Sequence, residues 1–337
     1  MWSFFSRGGN DFPYVVGEEV QGTEQSIWSL HKGKHKSTEE EVSIFVFDVK
    51  GSSESQVQLA KASFKKMKTL RHPNILPFLD GFESDKVLYV VTECVVPLEM
   101  WINDHQDNSV QVHLAISWGL HQVARGLTFL INDCNLIHNN VCIASVLVDK
   151  SGEWKLGGLD YMYPATGPDC IPPVKILPAL EKYDPPEKTV VGRRPGHKWS
   201  SDMWGLGCLI WEVFNGSLPR TSALKTINKI PKSLMPQYCQ LVGANPKSRP
   251  DPGQFIKDAC SKGGFIDNKF VQTMLFVEEI QIKDDSEKLQ FFNRLPAELD
   301  SFPQESCRFK ILPQLLHAFE FGNAGSAILA PLFKVHP

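Results

Sequence analysis

Six short polar clusters stand in order along the chain, each with side chains able to bind, carry charge or move a proton. Arg71-His72-Pro73-Asn74-Ile75 comes first, then Leu136-Ile137-His138-Asn139-Asn140 and Lys155-Leu156-Gly157-Gly158-Leu159-Asp160. Pro185-Pro186-Glu187, Asp202-Met203-Trp204-Gly205-Leu206-Gly207 and Asn245-Pro246-Lys247-Ser248-Arg249-Pro250 follow. Histidine, carboxylate and amide groups of this kind serve acid–base work and the ligation of hard cations. Thiol chemistry has no such support: the eight cysteines, at 94, 134, 142, 170, 208, 239, 260 and 307, include no Cys-x-x-Cys pair. That spacing excludes the usual zinc and redox motifs and predicts reduced thiols in a cytosolic protein.

The elements that position these clusters are legible from periodicity. Val42-Ser43-Ile44-Phe45-Val46-Phe47 reads as a strand, and 28–49 as strands broken by a turn at Lys32-Gly33-Lys34. Residues 56–70 carry Leu59, Ala60, Phe64, Met67 and Leu70 at helical spacing, and 85–92 read as another strand. After Pro97 the pattern turns helical: 113–130 form a broad apolar stripe and 202–214 a buried helix. Strands and turns lie over 136–159, and the proline-rich 164–186 reads as a loop. Beyond Lys262-Gly263-Gly264, two amphipathic helices over 286–302 and 304–321 meet at Pro303, with Pro313 bending the second. Ile311, Leu312, Leu315, Leu316 and Phe319 give that second helix an apolar face, and a third helix spans 324–333. Helix pairs of this length suit an α-solenoid.

Composition narrows the function classes. The chain has 337 residues, 42% hydrophobic and 22% charged, with a net charge of −3, which argues against nucleic acid as the main partner. Met1-Trp2-Ser3-Phe4-Phe5-Ser6-Arg7 holds too short an apolar run for a secretory leader, and no stretch has the length of a membrane span. No Met-Gly start or C-terminal lipidation box is present, so direct membrane insertion is not expected.

The order of the six clusters resembles the protein-kinase signature set. The resemblance implies a reaction site that can be checked position by position, and each position is altered. The strand lysine that holds phosphates corresponds to Phe45, and its glutamate partner on the regulatory helix to Ser63. The catalytic base corresponds to Asn140, an amide that cannot take a proton near neutral pH. The loop lysine corresponds to Cys142, the metal-binding asparagine to Ser145 and the metal-binding aspartate to Gly158. The glycine loop, Gly17-Glu18-Glu19-Val20-Gln21-Gly22, lacks the G-x-G-x-x-G spacing and adds two carboxylates near any phosphate. The residues that fasten the fold remain. Glu187 and Arg249 correspond to the family's ion pair, and Asp202 to the residue that ties down the catalytic-loop backbone. Two residues are candidates to rescue the chemistry: Lys34 for the lost lysine and Asp160 for the lost metal ligand. Bland readings stand beside them: Lys34 in a solvated turn of the basic run 31–36, Asp160 out of reach, and Phe45 in the core.

Together with the run Trp154-Lys155-Leu156-Gly157-Gly158-Leu159-Asp160-Tyr161-Met162-Tyr163 and the helical continuation, these losses make the whole chain similar to the Scy-like pseudokinases. The resemblance implies an α+β, bilobal protein-kinase-like fold followed by an incomplete HEAT-type helical extension. The expected division is a small lobe over 1–93, a large lobe over 94–262, and a linker with the first helical repeats over 263–337. The small lobe should be a five-stranded antiparallel sheet with one helix. The implied role is a noncatalytic scaffold in COPI-mediated Golgi-to-endoplasmic-reticulum traffic, cytoplasmic and associated with the Golgi and the ER–Golgi intermediate compartment. COPI coat subunits are the implied partners, through regions beyond this chain, because family members carry that contact on a basic C-terminal tail. Neither ATP nor magnesium is an expected cofactor. The alternatives are a weak or atypical kinase using Lys34 and Asp160, and a fold that keeps nucleotide as a metal-independent structural ligand.

Overall fold

The computed structural model describes residues 12–22, 25–105, 109–189, 196–227, 229–321 and 325–335; Met1 to Arg7 and the start of the third helix at Ala324 lie outside them. The first lobe is a five-stranded antiparallel sheet in the order β1-β2-β3-β5-β4. Its strands are β1 (Tyr14–Glu19), β2 (Ser29–His35), β3 (Glu41–Asp48), β4 (Asp80–Glu83) and β5 (Val87–Glu93), with helix α1 (Glu54–Met67) inserted after β3. Alternation along β3 sorts the side chains between two faces. Phe47 turns toward α1 and the second lobe, whereas Val42 and Ile44 join Phe12, Phe82 and Val91 in a separate outer core. A capping box between Ser53 and Gln56 starts α1, and Ala60, Ser63, Phe64 and Met67 form its buried face.

Lys32-Gly33-Lys34 is not a turn. These residues lie inside β2, paired with Ser43, Val42 and Glu41 of β3. Gly33 serves close strand packing, since a Cβ there would stand 2.4 Å from Ile44 Cδ1.

The second lobe begins with β6 (Val95–Pro97), α2 (Leu98–Asp104) and the long α3 (Ser109–Asn132), followed by β7 (Leu136–Ile137), β8 (Val146–Asp149), β9 (Trp154–Leu156) and β10 (Tyr163–Pro164). Helices α4 (Pro186–Thr189), α5 (Ser200–Asn215), α6 (Met235–Leu241) and α7 (Pro252–Ala259) complete it. The proline-rich stretch is mostly loop, with a 3-10 turn at Pro178–Tyr183.

Helices α8 (Lys269–Glu278) and α9 (Asp285–Glu298) continue the same core, with Phe270, Met274, Phe291 and Leu295 buried alongside large-lobe residues. The second predicted amphipathic helix runs without interruption over 304–321 and carries a π-turn within it. It comprises α10 (Gln304–Ser306), a π-turn at Cys307–Ile311 and α11 (Leu312–Phe321), before α12 (Leu329–Val335). Pro313 accounts for the π-turn, because it brings no amide for the carbonyl four residues earlier and the wide turn takes up the mismatch. Ile311, Leu315 and Ala318 are buried, while Leu316, Phe319 and Phe321 remain exposed. Among the described residues, no helix is long and apolar enough to cross a membrane.

Candidate functional site

The altered positions converge between the lobes. Phe45 pairs with Leu30 and Val90 across the sheet. Its ring, half-buried, lines a cavity with Trp28, Ser63, Asn140, Gly158 and Asp160. That cavity amounts to about 50 Å³, whereas sites for drug-sized ligands run to about 300–1,000 Å³.

The loop after β7 is bound to its own surroundings. His138 Nε2 lies 2.8 Å from the Gly157 carbonyl, and its Nδ1 accepts from the Asn140 amide at 3.2 Å. Burial lowers the His138 pKa to about 4, so the ring is a neutral, hydrogen-bonded strut. Asn140 Nδ2 donates to the Gly158 carbonyl at 3.3 Å. Ser145 Oγ donates to the Cys142 carbonyl at 2.8 Å and accepts from the Cys142 amide at 3.1 Å, closing a 3-10 turn. Burial pushes the Cys142 thiol up to about 12, which removes it as a nucleophile. Gly158 is left-handed at φ +62°, and a Cβ there would meet Ser145 Cβ at 2.8 Å and Asn140 Nδ2 at 3.0 Å. The metal position is thus closed by backbone shape as well as by residue type.

Asp160 is not on a strand. It belongs to a 3-10 turn, Leu159–Tyr161, and is buried beneath α1. Its Oδ1 accepts from Trp28 Nε1 at 2.7 Å, and the Ser63 hydroxyl bonds the same carboxylate. Desolvation raises its pKa, and the Trp28 and Ser63 hydrogen bonds oppose the rise. Lys66, one turn beyond Ser63, donates to the Met162 carbonyl, and its charge is coupled to Asp160. Where kinases carry a glutamate on this helix, α1 carries a hydroxyl and an ammonium, and the buried carboxylate sits on the turn opposite.

Lys34 does not join this group. By register it shares the Phe45 face of the sheet, but it pairs with Glu41, four residues along β3 from Phe45, roughly 13 Å away. It lines a separate groove of about 770 Å³ at the mouth of the cleft, with Lys32, Val15, Val96 and Met100. The structure therefore does not bring Lys34 and Asp160 together.

The fasteners lie in the second lobe. Arg249 donates to Glu187 from two nitrogens, at 2.5 and 2.9 Å, and to the carbonyls of Ser200 and Gly243. Asp202 accepts from the backbone amides of His138 at 2.8 Å and Asn139 at 2.7 Å. Burial raises Asp202 to about 6 against those bonds. Glu212 does the same work further along the same helix, accepting from the Ile143 and Leu218 amides and from the Tyr183 hydroxyl at 2.6 Å. Among the described residues, no group of three His, Cys, Asp or Glu side chains is placed to hold a metal ion.

Residues 25–263 match the protein kinase domain family. Over 334 residues the chain is 37% identical to a Dictyostelium discoideum protein named "Probable inactive serine/threonine-protein kinase scy1", covering 96% of this chain and 39% of that protein. The chain belongs to the protein-kinase family, in its Scy-like pseudokinase branch. Human "SCY1-like protein 2" is 26% identical across 91% of the pseudokinase and 38% of its own length. A mouse "Protein-associating with the carboxyl-terminal domain of ezrin" is 26% identical across 83% of this chain and 36% of its own. The pseudokinase thus spans about two-fifths of the length of these relatives.

Sequence reasoning overlooked Trp28, Lys66, Tyr183 and Glu212. Two of them carried a signal. Lys66 stands three residues after Ser63, hence on the same helical face. Glu212 is, with Asp202, one of two charges in an apolar helix, and a fully buried carboxylate requires partners. Trp28 and Tyr183 gave none, because their partners lie 132 and 29 residues away.

Proposed function

We propose that this chain is a noncatalytic scaffold in which the pseudokinase lobes carry a HEAT-type helical extension and present protein-binding surfaces. The observation that carries this reading is the cleft, where Trp28, Phe45, Asn140 and Gly158 leave about 50 Å³. ATP and magnesium are not cofactors in this reading, since the strand lysine, the base and both metal ligands have other residues in their places. The continuity of α8 and α9 with the large-lobe core supports a lobe-capped helical array. The cellular role we propose is COPI-mediated Golgi-to-endoplasmic-reticulum retrieval, in the cytoplasm at the Golgi and the ER–Golgi intermediate compartment, with COPI coat subunits as partners. The family resemblance supports that part.

Thermal unfolding of the whole chain with ATP, Mg²⁺ or both tests the biochemical reading. A ligand of the folded state at a hundred times its dissociation constant would add about 2.7 kcal/mol. No shift at millimolar nucleotide is the expected result. A Mg²⁺-dependent shift would overturn it in favour of an atypical kinase, and a shift with ATP alone would point to a structural nucleotide. Unimpaired COPI-dependent retrieval in cells lacking the protein would overturn the cellular part.

A further inference from the structure

Asp160 collects its side-chain partners from the other lobe. Trp28 Nε1 donates to it at 2.7 Å from the residues leading into β2, and the Ser63 hydroxyl reaches it from α1. Lys66, also on α1, adds a nearby positive charge and caps the Met162 carbonyl two residues further on. A second tie lies next to the first: the Tyr183 hydroxyl, already donating to Glu212, is 3.2 Å from Gln25 Oε1. Residues 25–28 and α1 are therefore both fastened to the large lobe, at the end of the cleft where the family holds phosphate.

We propose that Trp28, Ser63, Lys66 and Asp160 form an interlobe latch that holds the small lobe closed without any ligand. A carboxylate stripped of water is costly unless its oxygens are hydrogen-bonded. Both donor groups on Asp160 ride on the small lobe, so a separation of a few ångströms removes them together. Closure is consequently cooperative: the indole and the hydroxyl share one acceptor, and the ammonium, held on the Met162 carbonyl, favours the charge of that acceptor. The ring of Trp28 also packs 5.6 Å from Phe47, which fixes the indole's direction from within the small-lobe core. In an active kinase, nucleotide and a lysine–glutamate pair bring these parts together; here the chain supplies the joint from its own residues. The latch does not depend on the absence of nucleotide binding, and its test contains no nucleotide.

Amide hydrogen exchange on the whole chain reads the latch directly. Trp28→Phe keeps a ring against Phe47 and removes the N–H donor with part of the indole's bulk, and Ser63→Ala removes the hydroxyl. The expected result is faster exchange in β2 and α1, about tenfold for the double variant, with α5 in the large-lobe core unchanged. Unchanged rates in β2 and α1 would overturn the latch. An equal rise in α5 would overturn it too, because that pattern is global destabilisation. If the double variant does not fold, Asp160→Asn retains an acceptor for Trp28 and removes the charge facing Lys66. It is expected to raise exchange in α1 while sparing α5, and unchanged α1 rates there would sink the proposal.

Discussion

Arg249 and Glu187 form a two-point ion pair across the large lobe, at 2.5 and 2.9 Å, with the guanidinium also 5.0 Å from the Trp204 ring centroid. Glu187 opens α4 and Arg249 precedes α7, so the pair joins the end of the proline-rich loop to the helical core. Arg249 is buried. Replacing it with Met would strand Glu187 and two carbonyls. We expect Arg249→Met to cost about 3–5 kcal/mol in chemical denaturation. Arg249→Lys should recover only part of that loss, since an ammonium cannot make the planar two-point contact. Full stability in Arg249→Lys would show that geometry is unimportant here.

Restoring the metal aspartate should fail. Gly158→Asp places a Cβ 2.8 Å from Ser145 Cβ on a left-handed backbone, at a cost of about 1–3 kcal/mol. The expected outcome is a lower melting temperature and no added stabilisation by Mg²⁺. A Mg²⁺-dependent rise in Gly158→Asp would show that residue identity alone had closed the site.

The parts of the fold that read correctly from sequence are those governed by local period. α1 and α5 emerge from apolar spacing and β3 and β5 from β-branched and aromatic runs, whereas the count of five strands comes from the family resemblance. Gly33 misled because a glycine between lysines looks like a turn, and only Ile44 of the neighbouring strand reveals why it is there. The altered positions of the site were legible as residue types, since Phe45, Asn140 and Gly158 can be compared with what phosphate transfer needs. What replaced the chemistry was not legible. The bond from Trp28 to Asp160 spans 132 residues and follows no local rule.

His121 offers a pH test. It is buried, stacked on Trp118 with ring centroids 5.1 Å apart, and its pKa is lowered to about 4, by burial first and by Arg125 second. An unfolded histidine titrates near about 6.5. The folded value is depressed, so the neutral ring contributes stability above pH 6.5 that is lost as pH falls toward 4. Asp202 and Glu212, raised to about 6 and about 7, act in the opposite sense over an overlapping range. The comparison must therefore be between variants. His121→Phe should gain melting temperature relative to the wild type on going from pH 7.5 to pH 5. A pH-independent difference would mean that the ring takes up its proton as readily in the fold as in the unfolded chain.

Lys155 is a second buried charge outside the cleft. Its ammonium is buried, donates to the Pro73 carbonyl at 2.9 Å, and lies 3.5 Å from Asp149 and 3.7 Å from both Glu93 and Glu153. Lys310, in the π-turn of the extension, holds the other oxygen of Glu153 at 2.9 Å. The cluster thus links β5, β8, β9 and the helical extension. Lys155→Met preserves the stem but leaves three carboxylates facing one another, and should cost about 3–5 kcal/mol. The loss should also depend on pH. Burial already raises the Glu93 pKa, and Lys155 is the main group lowering it. Without the lysine, Glu93 takes up a proton more readily in the fold, so acidification relieves the variant more than the wild type. Denaturation midpoints at pH 8 and pH 5 should show the Lys155→Met deficit shrinking at the lower pH. A deficit that stays constant would mean that the lysine acts through packing of its stem, and the three carboxylates would then not be the reason for its burial.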